Sequence, residues 1–379
     1  VAPRVLIAAG EASGDAHAAA LVKALKALRP ELSFYGLGGP RMAQAGVELL
    51  AESGQVAVTG FVELLPLAGR IIKTLNRLKK ALREDRPQAL ILIDFPDFNL
   101  RLAKAARRAG VRVVYYIPPQ VWAWRRSRVR VLAECCDRLI CIFPFEEEFY
   151  RRHGVAADFV GHPFVDLPAL GPADREELLQ GLGLDPAGEV LALLPGSRAN
   201  EVRRVLPALA EAGERLRRLR PGLRVLLPVA PGLSPESLRP LMGGAEVSLT
   251  ETPARRVLAA ARAALVCSGT ATLEAALAGT PLVVVYKASL LSYLIGRALI
   301  RQVRHIAMPN LIAGREVVPE YIQGRLKPAA LVEAALPLLE GGEARERMLA
   351  QLALIRDSLG RPGAVRRAAE RAAEILGED

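Results

Sequence analysis

Residues 89–117 read ALILIDFPDFNLRLAKAARRAGVRVVYYI, and the order of those letters decides the fold. Residues 89–93 are apolar at every position, as in a strand covered on both faces. Residues 99–109 then repeat apolar side chains at helical spacing, and residues 111–117 return to a β-branched and aromatic run. Strand, helix and strand in that order predict a parallel sheet covered on both faces. Outward from this unit, residues 5–9 precede a helical stretch at 15–28, and residues 125–133 supply the next helix. The pattern breaks at Gly161-His162-Pro163 and at the Pro/Gly-punctuated residues 167–172, then restarts. Residues 190–194, 224–227, 263–266 and 282–285 read as a second set of buried strands, with helices at 201–219 and 270–278. The expected class is α/β, with two doubly wound, Rossmann-like domains facing a central cleft. The expected domains are 1–165 and 166–345, followed by a helical C-terminal segment, 346–379, packing back on the first domain or on a partner subunit.

Composition agrees and excludes other classes. A chain of 379 residues with 51% hydrophobic and 24% charged residues fills two cores without staples. Its four cysteines, Cys135, Cys136, Cys141 and Cys267, have no CxxC spacing and no neighbouring histidines, so buried thiols in a reducing, cytoplasmic compartment are expected and no metal site is. Residues 3–14, PRVLIAAGEASG, read as strand and loop rather than as an export signal, and Val1 in place of Met marks a trimmed or alternative start. The apolar residues 282–299 are interrupted by Lys287 and Arg297, which argues against a membrane span and leaves peripheral contact. A net charge of +11 favours anionic partners, but the cations are dispersed and no nucleic-acid motif accompanies them, so no nucleic-acid partner is expected.

Polar residues at the ends of the predicted strands are the candidates for chemistry. In Ser268-Gly269-Thr270-Ala271-Thr272-Leu273-Glu274 a strand end becomes a helix start, where unpaired N–H groups attract an anion. Gly269 admits a phosphate to the backbone, Ser268 and Thr270 add hydroxyls, and Glu274 can accept hydrogen bonds from ribose; an ordinary N-cap explains the same letters. Gly196, Ser197 and Arg198 repeat the design after residues 190–194 and add a guanidinium that can fork onto a diphosphate, or lie in solvent as part of a turn. Asn310 and Arg315 read as nucleotide or phosphate contacts, or as a surface loop.

In the first half, Gly10 and Gly14 bracket Glu11 and Ser13, with Asp15 following. Glu11 would repel a pyrophosphate, so the loop suits sugar hydroxyls, with Asp15 either joining them or capping the helix. Asp94 ends an apolar strand, where desolvation would raise its pKa and fit it as a general base. Asp97 reads as a helix cap or an acceptor contact. Gln120, Trp122 and Trp124 stand before a run of arginines and either line a sugar site or pack a hinge. Residues 59–82 mix Phe61, Leu64, Leu65, Ile71 and Ile72 with Arg70 and Lys73, as in an interfacial helix or a core helix with a basic outer face.

Taken in order, AGEASGD at 9–15, IDFPDFN at 93–99, PPQVWAWR at 118–125, FPFE at 143–146, VGHP at 160–163, LPGSR at 194–198, SGTATLE at 268–274 and MPNLIAGRE at 308–316 resemble the lipid-A-disaccharide synthase family across almost the whole chain. The resemblance implies a GT-B fold and an inverting glycosyl transfer without a metal or other cofactor. It implies that UDP-2,3-diacylglucosamine and 2,3-diacylglucosamine 1-phosphate (lipid X) are joined into a β-1,6-linked disaccharide with release of UDP. The acceptor is then expected in the first domain and the nucleotide mainly in the second, with Asp94 as base, Glu11 in reserve and Arg198 on the leaving diphosphate. Acylated substrates make residues 59–82 a contact to an anionic membrane surface, on the cytoplasmic face of the inner membrane. A homodimer exchanging C-terminal segments is compatible. A UDP-N-acetylglucosamine 2-epimerase would share the fold and nucleotide site but needs no acyl-binding surface.

Overall fold

The computed structural model describes residues 3–53, 64–121, 128–289 and 305–377, the side chains of residues 12 and 64–68 aside. The chain divides into two compact units, residues 1–166 with 359–379, and residues 167–358.

The first unit is built from β1 (Arg4–Ala9), α1 (Ala12–Leu28), β2 (Ser33–Gly38), α2 (Pro40–Gln44), β3 (Val47–Glu52), α3 (Leu64–Glu84), β4 (Ala89–Ile93), α4 (Pro96–Arg108), β5 (Arg112–Tyr116), α5 (Arg128–Cys135), β6 (Arg138–Cys141), α6 (Pro144–Arg152) and β7 (Ala157–Phe159). Among the described residues its seven strands run parallel in the order β3-β2-β1-β4-β5-β6-β7. The middle strands are covered on both faces, which is why residues 5–9 and 89–93 carry no polar side chain. The order reverses between β1 and β4, where Ala9 lies opposite Ile93. Loops leaving these two strands diverge to opposite faces and leave a crevice at the carboxyl edge.

The second unit holds α7 (Pro172–Gly181), β8 (Val190–Leu194), α8 (Ala199–Leu219), β9 (Arg224–Pro228), α9 (Pro235–Leu238), β10 (Ser248–Thr250), α10 (Ala254–Ala260), β11 (Ala263–Cys267), α11 (Thr270–Leu277), β12 (Leu282–Tyr286), α12 (Met308–Ala313), β13 (Glu320–Ile322), α13 (Pro328–Glu340) and α14 (Glu343–Ser358). The sheet is again parallel, in the order β10-β9-β8-β11-β12-β13, and the reversal falls between β8 and β11, with Leu194 opposite Val266.

The expected boundary before residue 346 falls instead at 358/359. Helix α14 stays in the second unit, with Met348, Leu352 and Ile355 buried, while α15 (Ala364–Gly377) packs on α1 of the first. The Asp166 carboxylate accepts hydrogen bonds from the N–H groups of Gly363, Ala364 and Val365 at 2.6, 2.9 and 2.8 Å, capping α15. The His162 N–H donates to the Leu359 carbonyl at 2.9 Å, and Arg367 Nε to the Val160 carbonyl at 2.8 Å.

Candidate functional site

At the reversal in the first unit, β1 is followed by Gly10 and Glu11 and β4 by Asp94 and Phe95. Asp94 and Phe95 adopt φ of 46° and 50°, a left-handed conformation that side chains rarely take and that clusters at functional turns. The Asp94 carbonyl accepts hydrogen bonds from Asn99 Nδ2 and Tyr115 OH, each at 2.7 Å. Burial, then the nearby Glu11 charge, push the Asp94 carboxyl up to about 6. It is therefore largely ionised at neutral pH yet binds a proton far better than an exposed aspartate does. Glu11 is the N-cap residue of α1, half-buried, and its side chain makes no capping bond. Ser13 and Gln120 are exposed.

Two acidic candidates resolve differently. Asp15 is buried and accepts hydrogen bonds from the N–H groups of Gly39, Arg41 and Met42 at 2.8, 3.1 and 3.0 Å, so it fastens the start of α2 and is not turned to a sugar. Asp97 is no cap, because Phe95 holds the N-cap position of α4; Asp97 lies exposed in the first turn, paired with Arg128. Trp122 and Trp124 fall outside the described residues. Sequence reasoning missed Asn99 and Tyr115 as supports of Asp94. The available signal was chemical, since tyrosine hydroxyls in a buried strand and an asparagine inside a helix call for buried partners, but it does not single out Tyr115, because Tyr116 beside it is buried with no partner for its hydroxyl among the described residues.

The second unit repeats the arrangement one strand pair at a time. Gly196, at φ 107°, turns the chain out of β8, and a Cβ there would sit 3.0 Å from Glu201 Oε2. Ser197 is exposed, Arg198 is the N-cap residue of α8, and its guanidinium, 57% exposed, donates to Glu201 Oε1 at 3.2 Å. From the neighbouring strand, Gly269 caps α11 at φ 151° with open space above it, and Thr270 is exposed in the first turn. Two helix starts with free first-turn N–H groups thus leave paired strands about 4.8 Å apart, next to an exposed guanidinium. That donor set fits a diphosphate.

Glu274 lies one turn along α11, where burial raises its carboxyl above the ordinary value against a smaller opposing pull from Arg255. The Ser268 hydroxyl donates to the Ile306 carbonyl at 2.8 Å, so it offers a ligand its lone pairs rather than its proton. Asn310 is wholly buried and satisfied, with Nδ2 donating to the Val318 carbonyl and Glu320 Oε1 at 2.8 Å each and Oδ1 accepting from the Val317 and Val318 N–H groups. It braces the loop before β13 and does not face a nucleotide. Arg315 bonds Gln351 at the surface.

On α3, Leu75, Leu78, Ala81 and Leu82 face the core, whereas Ile72 is 54% exposed and Ile71 half-buried. Arg70, Lys73 and Arg77 line, with Thr74 and residues 49–52, a groove of about 600 Å³. Phe61 lies outside the described residues, and of Leu64 and Leu65 only their place on the helix is described. No helix among the described residues is long and apolar enough to cross a membrane.

Known proteins share both the sequence and the fold. The family described as Lipid-A-disaccharide synthetase matches residues 5–375. A lipid-A-disaccharide synthase of Myxococcus xanthus is 48% identical over 99% of this chain and 98% of its own length. Among solved structures, a UDP-glucose:anthocyanidin 3-O-glucosyltransferase in complex with UDP superposes with a TM-score of 0.68 at 14% identity, covering both chains fully. A UDP-GlcNAc 2-epimerase from Neisseria meningitidis bound to UDP-GlcNAc gives 0.66 at 12%, over 98% of this chain and 100% of its own, a likeness of fold alone.

Proposed function

The chain belongs to the lipid-A-disaccharide synthase family, and from that premise we propose which of its residues carry the transfer. It is a glycosyltransferase of lipid A biosynthesis with a GT-B fold. The donor is UDP-2,3-diacylglucosamine and the acceptor is lipid X. The acceptor 6-hydroxyl loses its proton to Asp94 as its oxygen bonds the anomeric carbon. The bond from that carbon to the diphosphate oxygen breaks with its electron pair, and UDP departs. Attack from the face opposite UDP gives the β-1,6 linkage.

The observation that carries this reading is the pairing of β8 and β11, which brings the two helix starts and the guanidinium together at one sheet edge. Backbone N–H groups at residues 197–199 and 269–271, with Arg198, take up the charge that develops on the leaving diphosphate, a role that a metal ion fills in other transferases. Glu274 accepts from the ribose hydroxyls. In the first unit Asp94 is the base because its carboxyl, raised by burial first and by the Glu11 charge second, suits proton abstraction near neutrality. Ser13 and Gln120 are exposed and available to the acceptor.

The exposed Ile72 with Arg70 and Lys73 suits peripheral contact with an anionic membrane on the cytoplasmic face, where acylated substrates reside. The test is mass spectrometry of products formed from UDP-2,3-diacylglucosamine and lipid X. A disaccharide 1-phosphate is expected from the parent protein and not from Asp94→Asn; turnover of UDP-N-acetylglucosamine alone would overturn the assignment.

A further inference from the structure

We propose that Asn99 and Tyr115 are positioning residues for the base, holding the Asp94 main chain in its left-handed turn so that the carboxyl stays aimed at the acceptor. This rests on Asp94 being the base. The two side chains come from different elements, Asn99 from the first turns of α4 and Tyr115 from β5, the strand beside β4. Both are wholly buried, so neither can touch a substrate. Yet both donate to the same atom, the Asp94 carbonyl oxygen, at 2.7 Å each, and Asn99 Nδ2 also lies 3.1 Å from the Ile93 carbonyl.

A carbonyl oxygen has two lone pairs, and here both are taken by donors that the core holds rigid. Asp94 at φ 46° would relax to the ordinary extended or helical regions by rotating its flanking peptides. That rotation swings the carbonyl away, leaves the buried Tyr115 hydroxyl without its acceptor and leaves Asn99 Nδ2 with only its longer contacts to the Ile93 and Ala8 carbonyls at 3.1 and 3.4 Å, so the packed core resists it. The neighbouring residue is restrained as well, because the Phe95 ring covers Gly10 and leaves no room for a Cβ there. The carboxylate is therefore fixed mainly by main-chain bonds beneath it, and its own oxygens take a hydrogen bond from the Phe95 N–H, which opposes part of the rise that burial causes.

The experiment compares Tyr115→Phe, Asn99→Leu and Asp94→Asn for kcat, both KM values, the pH profile and thermal unfolding. Tyr115→Phe keeps the packing and deletes one donor; a ten- to hundredfold loss in kcat is expected, of the size that small misplacements of a reacting group cause. The KM for the UDP-sugar should not change. The acid limb of the kcat/KM profile should fall towards the ordinary aspartate range, because a released carboxyl reaches water. Asn99→Leu should act in the same direction. A Tyr115→Phe protein that melts earlier but keeps its kcat and acid limb at a permissive temperature overturns the proposal while leaving the base assignment intact. Should Tyr115→Phe not fold, the same readings on Asn99→Leu decide. Full turnover by Asp94→Asn would instead remove the base itself.

Discussion

The ring of Phe95 lies across Gly10, so that a Cβ added at residue 10 would fall inside the space of the aromatic carbons. This contact joins the ends of β1 and β4, one residue away from Glu11 on one side and Asp94 on the other. Gly10→Ala must displace Phe95 from a turn that is already left-handed. A loss of about 1–3 kcal/mol is expected from overpacking, with a fall in turnover larger than the stability loss explains. Denaturant unfolding beside steady-state kinetics checks this; unchanged kinetics would show that the turn does not depend on the stacked ring.

Titration of Asp94 should govern the acid side of activity. A base must be ionised to act, so kcat/KM should fall tenfold per pH unit below about 6, rather than below the usual carboxylate range near 4. The same shift predicts a stability effect of opposite sense. The folded protein holds this proton more tightly than the unfolded chain, so the contribution is most favourable below the unfolded pKa and is lost as pH rises through about 6. Asp94→Asn, which stays neutral, should therefore be more stable than the parent at pH 7.5 by about 3 kcal/mol, with little difference at pH 3.5. Calorimetry at both values is the check, and equal melting points at pH 7.5 would contradict it.

Arg198→Lys keeps the charge but not the fork. If the guanidinium bridges diphosphate oxygens in the transition state, kcat should drop about 10²–10³-fold, with a smaller change in the KM for the UDP-sugar. Recovery of full activity by lysine would reduce the residue to a point charge.

Asp166→Ala removes the acceptor shared by three N–H groups at the start of α15. Loss of that cap should cost about 1–2 kcal/mol and raise amide exchange across residues 359–377 before the rest of the first unit. Uniform exchange across the unit would show that α15 is held by its apolar face alone.

What could be seen in the sequence follows from physics of short range. Strands β1, β4, β5, β8 and β12 are sheathed on both sides, so each has an uninterrupted apolar run. Strand β2 has none: SFYGLG carries Gly36 at φ 149°, where a Cβ would overlap the Ile7 carbonyl oxygen, so a residue that looks like a strand breaker is what lets β2 pair. Strands β3, β10 and β13 lie at sheet edges, and β10 and β13 are three residues each, too short for a period to show. Glu11, Asp94, Arg198 and Thr270 were legible because each lies within four residues of the end of an apolar strand. Asp15, just past the same loop as Glu11, and Asn310, in a stretch that reads as a polar turn, are candidate ligand contacts on residue type. Their partners, Gly39, Arg41 and Met42 for one and Val317, Val318 and Glu320 for the other, come from neighbouring segments that only the folded chain brings close. Spacing within a motif cannot separate a polar group that waits for a ligand from one already satisfied.

The nucleotide site is the claim on which the rest depends, and a crystal of the protein with UDP measures it directly. The β-phosphate should lie within hydrogen-bonding distance of the N–H groups at residues 197–199 and 269–271 and of the Arg198 guanidinium, with the ribose on Glu274. A diphosphate bound elsewhere, or a clear β8–β11 edge at saturating UDP, would contradict it.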